Sequence, residues 1–170
     1  MSSTHHGILI HVVFSTKQRF KLLHKDWRDD LFAYMGGIAT EHKSKLLRSG
    51  GVEDHVHLLM KIHPKFAISD TIKLIKGNSS RWINDNKKIA ARFEWQRGYG
   101  AFSVSESMSN TVKRYIEIRR NITDNKASRM NTSRFSKSTI SNMTVDTCLM
   151  TSMLDELVGY SESGGATTGG

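Results

Sequence analysis

The chain has 170 residues, enough for one domain with a substantial core and too few for two comfortable ones. A formal net charge of +9 points to a polyanionic partner, because clustered Lys and Arg neutralise phosphates and release counterions. Cys148 is the single cysteine, which excludes a disulfide framework and a cysteine-rich metal site, and the absence of a bilayer-length apolar run or signal-peptide pattern makes a cytoplasmic protein the expectation.

In chain order, "GILIHVVFS" (Gly7 to Ser15) is β-branched and apolar between a glycine and a polar turn, the pattern of a buried strand. His11 lies among those buried-strand residues and is not read as a ligand. Asp26 is placed to cap the next segment, with Asp29 and Asp30 in its first turn, and Leu31, Tyr34, Met35 and Ile38 recur at helical spacing. Gly36 and Gly37 weaken that helix. "KLLRSGGVEDHVHLLMKIH" holds two short strands around Gly50 and Gly51. Ser69 offers a second N-cap before an amphipathic stripe of Ile68, Ile72, Ile75, Trp82 and Ile83. "GYGAFSVS" (Gly98 to Ser105) is a fourth strand and "SMSNTVKRYIEI" a third helix. The order predicts an α+β domain: a ferredoxin-like (split βαβ, RRM-like) antiparallel sheet with helices on one face and a further C-terminal helix.

Two features carry chemistry. On a strand, His55 and His57 project from one face and Val56 and Leu58 from the other. Paired imidazoles on a rigid sheet can ligate a divalent cation, and they can equally do no more than occupy a half-exposed strand. Tyr115, on the third helix, is either a packing residue or a nucleophile. Phenol, with a pKa of about 10, is a better attacking group on phosphate than an alcohol, and a residue four positions later shares its helix face.

Taken together these pieces resemble the single-tyrosine transposases of the insertion sequence 200/605 family, which carry two histidines flanking a bulky apolar residue (the HUH motif). The matching blocks are "ILIHVVFSTKQR", "GGVEDHVHLLMKIHP", "IKLIKGNSSRWI", "FEWQRGYGAFSVS" and "TVKRYIE", in the family's order from Ile8 to Glu117. The resemblance implies that Tyr115 is the nucleophile on the third helix, and that His55 and His57 ligate Mg²⁺ or Mn²⁺. It also implies a homodimer acting on single-stranded DNA with hairpin ends. In that reaction the tyrosine attacks a phosphodiester and forms a 5′-phosphotyrosine, leaving a 3′-hydroxyl. Expected DNA-binding residues are Lys73, Lys76 and Arg81 on the second helix, Arg97 before the fourth strand, and Lys113 and Arg114 beside the tyrosine. Trp82 belongs to the apolar stripe, whereas Trp95 and Tyr99 are the candidates for base stacking. No partner is identified for His5, His6, His24, His42 or His63.

The resemblance stops abruptly. Its nucleophile helix reads Tyr-x-x-x-Gln, with the glutamine as third metal ligand, but here the fourth residue after Tyr115 is Arg119, whose guanidinium has no lone pair to offer. Beyond Ile118 the chain is rich in Ser, Thr, Asn and Met and loses periodicity. Read one base out of register, its permitted codons restore family-like words. Ile118 and Arg119 permit glutamine, Asn121 to Asp124 permit His-His-Arg, and Lys126 to Thr132 permit Ser-Phe-Gln-Asp-Glu-Tyr. Some residues are forced by the code: Met130 followed by Asn131 can yield only Glu. The expected organisation is a transposase domain over residues 1–120 and a frameshifted, largely disordered tail over 121–170. Three functions compete: an impaired transposase, a non-catalytic hairpin-DNA-binding remnant, and, least favoured, an RNA-binding module. The last predicts exposed aromatics on the central strands, where this sequence has His55 and His57.

Overall fold

The computed structural model describes residues 7–122. They form β1 (Ile8–Ser15), α1 (Lys25–Glu41), β2 (Lys45–Gly51), β3 (His55–Ile62), α2 (Ile68–Asp85), β4 (Gly100–Val104) and α3 (Ser109–Ile122). The strands make one sheet in the order β2-β3-β1-β4, with every neighbouring pair antiparallel. This is the expected ferredoxin-like order, and the expected tail over 121–170 lies almost wholly outside the described residues.

Strand alternation sorts side chains between two faces. Ile10, Val12 and Phe14 of β1 and Val56, Leu58, Met60 and Ile62 of β3 point to one side, where they pack with Leu31, Met35 and Ile38 of α1 and Ile72, Ile75 and Ile83 of α2. Each such side chain, fully buried, contributes roughly 1.5–3 kcal/mol of transfer free energy. Trp82 joins this layer at its edge, facing Trp27 and stacked on Tyr34. Helix α3 covers the opposite face, against β2 and β3.

Helix starts differ from expectation. The N-cap of α1 is His24 and that of α2 is Ala67, neither making a side-chain cap bond, so Asp26 and Ser69 fall inside the helices. Asp26 and Asp70 instead lie in the first turns, where a carboxylate complements the helix dipole. Two lysines follow the helix ends in left-handed conformation, Lys43 (φ 52°) and Lys87 (φ 47°), where a glycine signal was absent from the sequence.

Trp95 is a correction. It is buried rather than poised to stack a base: its ring sits edge-on to Phe14 and Phe93, and Nε1–H donates to Ser79 Oγ at 3.0 Å. Tyr99 is partly buried against the same core. His42 does have partners, with Nδ1 3.1 Å from Thr71 Oγ1 and its ring against Phe66.

Candidate active site

The site lies on the face of the sheet that α3 covers. Val112, Tyr115, Ile116 and Arg119 recur at three- and four-residue spacing and so share one side of that helix. Ile116 is fully buried. A β-carbon at Gly50 would stand only 2.5 Å from the Ile116 carbonyl oxygen, so a residue without a side chain is what lets α3 approach β2 this closely.

Beneath the helix, β3 presents His55 and His57 on the same side, while Val56 and Leu58 enter the core, as the alternation predicts. The tight connection into β3 is pinned to β1 and the segment after it: Thr16 N–H donates to the Asp54 carbonyl and Leu23 N–H to the Glu53 carbonyl, each at 2.9 Å. That anchoring brings the Asp54 carboxylate to His55 Nδ1 at 2.6 Å and to Arg19 Nε at 3.1 Å. Burial raises the Asp54 carboxyl pKa, but the bond and charge of His55, together with Arg19, outweigh it and hold the group below the usual range. His55 Nδ1–H donates to Asp54, which fixes the orientation of the ring and leaves Nε2 as its second nitrogen.

His57 is almost completely buried. Its Nδ1 meets Nε2 of His11 at 3.2 Å and the two rings stack with centroids 5.3 Å apart. Its Nε2 is buried and has no hydrogen-bond partner among the described residues. Burial first, then the nearby charges of His55, His11 and Arg119, push the His57 pKa well below its ordinary value. Burial alone pushes His11 down to about 4. His11 therefore belongs to the site although the sequence pattern hid it. The missed signal was its register: it is on the same alternate face as Leu9 and Val13, away from Ile10 and Val12.

Tyr115 closes the cluster. Its ring stands edge-on to His57 at 5.5 Å and to His11 at 6.1 Å. Arg119 Nε–H donates to Tyr115 Oη at 3.3 Å, and the guanidinium carbon lies 5.6 Å from the ring centroid.

The donor set meets a divalent cation only partway. The orphaned Nε2 of His57 and the second ring nitrogen of His55 suit a metal such as Mn²⁺, whereas Mg²⁺ prefers oxygen ligands. On the tyrosine side the next group is a permanent cation with no lone pair. Among the described residues no three or more His, Cys, Asp or Glu side chains are grouped to hold a metal ion. The described residues therefore do not complete a divalent-cation site.

The basic residues divide between the faces. Lys113 and Arg114 lie on α3 beside Tyr115, Lys113 half-buried and Arg114 exposed. Lys73 and Arg81 are exposed on α2, across the sheet from the histidines, and Arg97 is exposed in the segment before β4. Lys76 is engaged within the fold: Nζ donates to the carbonyls of Gln96 (2.8 Å) and Gly98 (2.5 Å) and sits over Phe14. Burial pushes its pKa down to about 8.

A tyrosine held over an HUH strand on this sheet defines a single-tyrosine transposase fold, and the family model "Transposase IS200 like" matches residues 4–119. The chain belongs to that family. It is 29% identical over 112 residues to the ISDra2 transposase TnpA of Deinococcus radiodurans, covering 63% of this chain and 80% of that protein. It is 27% identical over 112 residues to the transposase for insertion sequence element IS200 of Salmonella typhimurium, covering 63% and 73%. Among solved structures, a transposase crystal structure from Deinococcus radiodurans superposes with a TM-score of 0.56 at 26% identity, covering 71% of this chain and 96% of that one. A REP-associated tyrosine transposase bound to a REP hairpin shares the fold, with a TM-score of 0.52 at 14% identity, covering 73% and 74%. Among the described residues no helix is long and apolar enough to cross a membrane.

Proposed function

We propose that this chain acts on single-stranded DNA with hairpin ends, and that Tyr115 is its nucleophile. The observation that carries the reading is the seating of Tyr115 edge-on against His57 of the HUH strand and His11 of the neighbouring β1. Oη forms a bond to the scissile phosphorus as the bond from phosphorus to the 3′-oxygen breaks. The phenol loses one proton and the departing 3′-oxygen gains one, leaving a 5′-phosphotyrosine and a 3′-hydroxyl. One phosphoester replaces another, so strand transfer needs no nucleotide hydrolysis. Lys113 and Arg114 lie on the helix that carries Tyr115 and suit a backbone approaching it. The hairpin held by the REP-associated neighbour supports hairpin ends as the substrate class. A homodimer is part of the reading, tested by sedimentation of the purified protein.

A second reading, a hairpin-binding remnant without cleavage, is favoured by one observation: a guanidinium stands where the family places a metal ligand. It accords with a tail read out of register after Glu117, which a one-base insertion in the gene would restore to family sequence. Both readings are tested with single strands carrying the hairpins that flank the gene, incubated with Mn²⁺ or with EDTA. A covalent protein–DNA adduct that vanishes in Tyr115→Phe establishes the enzyme. Binding without adduct establishes the remnant, and absence of binding defeats both.

A further inference from the structure

We propose that Arg119, beside Tyr115 on α3, forms a site for a phosphodiester of single-stranded DNA that fills without a divalent cation. The inference rests on the single-strand reading above and concerns what that site holds. Arg119 is half-buried and lies one helical turn beyond Tyr115, which fixes its Nε 3.3 Å from Oη. Guanidinium carries five N–H donors in a planar fork, and this bond uses one, leaving both terminal nitrogens to grip a phosphate. A phosphate bridging those nitrogens and the tyrosine hydroxyl would have its phosphorus next to the attacking oxygen.

The surroundings favour an anion. The carboxylates nearby are engaged elsewhere: Glu117 faces Arg48 at 3.8 Å, and Asp54 holds His55 and Arg19. His11 and His57 pack their rings against Tyr115 and bring no carboxylate to it. Arg119, a guanidinium that stays protonated, is a standing positive charge beside the nucleophile. A cation entering between the two HUH imidazoles would add to that positive charge, whereas a phosphate would neutralise it. Lys113 and Arg114, on the same helix, add to the positive charge of α3.

The test measures binding of fluorescein-labelled oligothymidine and uptake of Mn²⁺, each with the full chain, for wild type, Arg119→Gln and Arg119→Lys. Glutamine keeps a similar reach, removes the charge and offers a carbonyl lone pair. Wild type is expected to bind the oligonucleotide within about twofold equally in EDTA and in Mn²⁺, and to take up no Mn²⁺ that His57→Ala abolishes. Arg119→Gln should bind about tenfold more weakly in EDTA, with the slope of log affinity against log salt smaller by ~0.7, the value for one lost single-strand phosphate contact. It should also gain a His57-dependent Mn²⁺ site. Arg119→Lys should keep the wild-type salt slope, which a packing role would not do. Unchanged affinity and slope in Arg119→Gln overturn the proposal while leaving the DNA reading intact, as does His57-dependent Mn²⁺ uptake by wild type. A wild type that binds no single strand overturns both.

Discussion

The two faces of the sheet are built from the same strands yet obey different rules. On the face covered by α1 and α2, every alternate residue of β1 and β3 from Ile10 to Phe14 and Val56 to Ile62 is apolar and packed. On the face covered by α3, alternate positions of the same strands hold His11, His55 and His57, and a buried nitrogen has no partner among the described residues. An unsatisfied buried polar atom costs about 1–3 kcal/mol. The apolar face supplies the stability that lets the imidazole face carry that cost, and a rigid sheet holds both sets of side chains in fixed register.

The contrast can be broken from either side. The largest expected effect is on the apolar face: Leu58→Ala, at a fully buried core position, should lower unfolding free energy by about 2–5 kcal/mol in denaturant titrations. The His57→Ala change, one residue away on the other face, removes an orphaned polar group as well as ring contacts and should cost clearly less. Equal losses would erase the distinction.

Acid should single out the imidazole face. A histidine whose folded pKa lies below its unfolded value binds fewer protons when folded, so stability rises with pH between the two values and falls as pH drops through them. For His11 the window runs from 6.5 down to about 4, and the loss amounts to about 3 kcal/mol in the metal-free protein. His57 adds in the same direction. Chemical denaturation at several pH values checks this, and His11→Gln should flatten the profile; an unchanged profile would mean that His11 does not carry the effect.

Gly50→Ala addresses the docking of α3. Its added methyl meets the Ile116 carbonyl, so the helix must lift, with an expected cost of about 1–3 kcal/mol. Adduct formation through Tyr115 should fall while hydrogen exchange in β1 and β3 stays slow. The smallest effect is expected at the partly exposed Arg120–Asp29 ion pair, which links α3 to α1 at 2.5 Å. Arg120→Ala should change stability by less than about 1 kcal/mol, measurable as a small shift in denaturation midpoint.

Particular residues show how much was legible beforehand. The His55/His57 face and the Val56/Leu58 face follow from strand periodicity alone, because a side-chain repeat of two leaves no other choice. Tyr115 was legible through its sequence neighbours and the ordered blocks before it. Trp95 was misjudged because an indole looks the same in a core or on a surface until its ring contacts and its bond to Ser79 are known. Lys76 read as a DNA-binding cation on the second helix, but the fold gives its ammonium two carbonyls.

By itself, the sequence determined the element order, the family, the pairing of two imidazoles on one strand and the break in pattern after Glu117. These are local or ordered properties, carried by periodicity and spacing along the chain. Only the tertiary structure decided that His11 joins His57 across 46 positions, that Gly50 admits α3, and that Arg119 bonds to Tyr115 above the histidines. Those facts depend on which strand lies beside which and how closely a helix can approach, and both are settled by packing between segments distant in the chain.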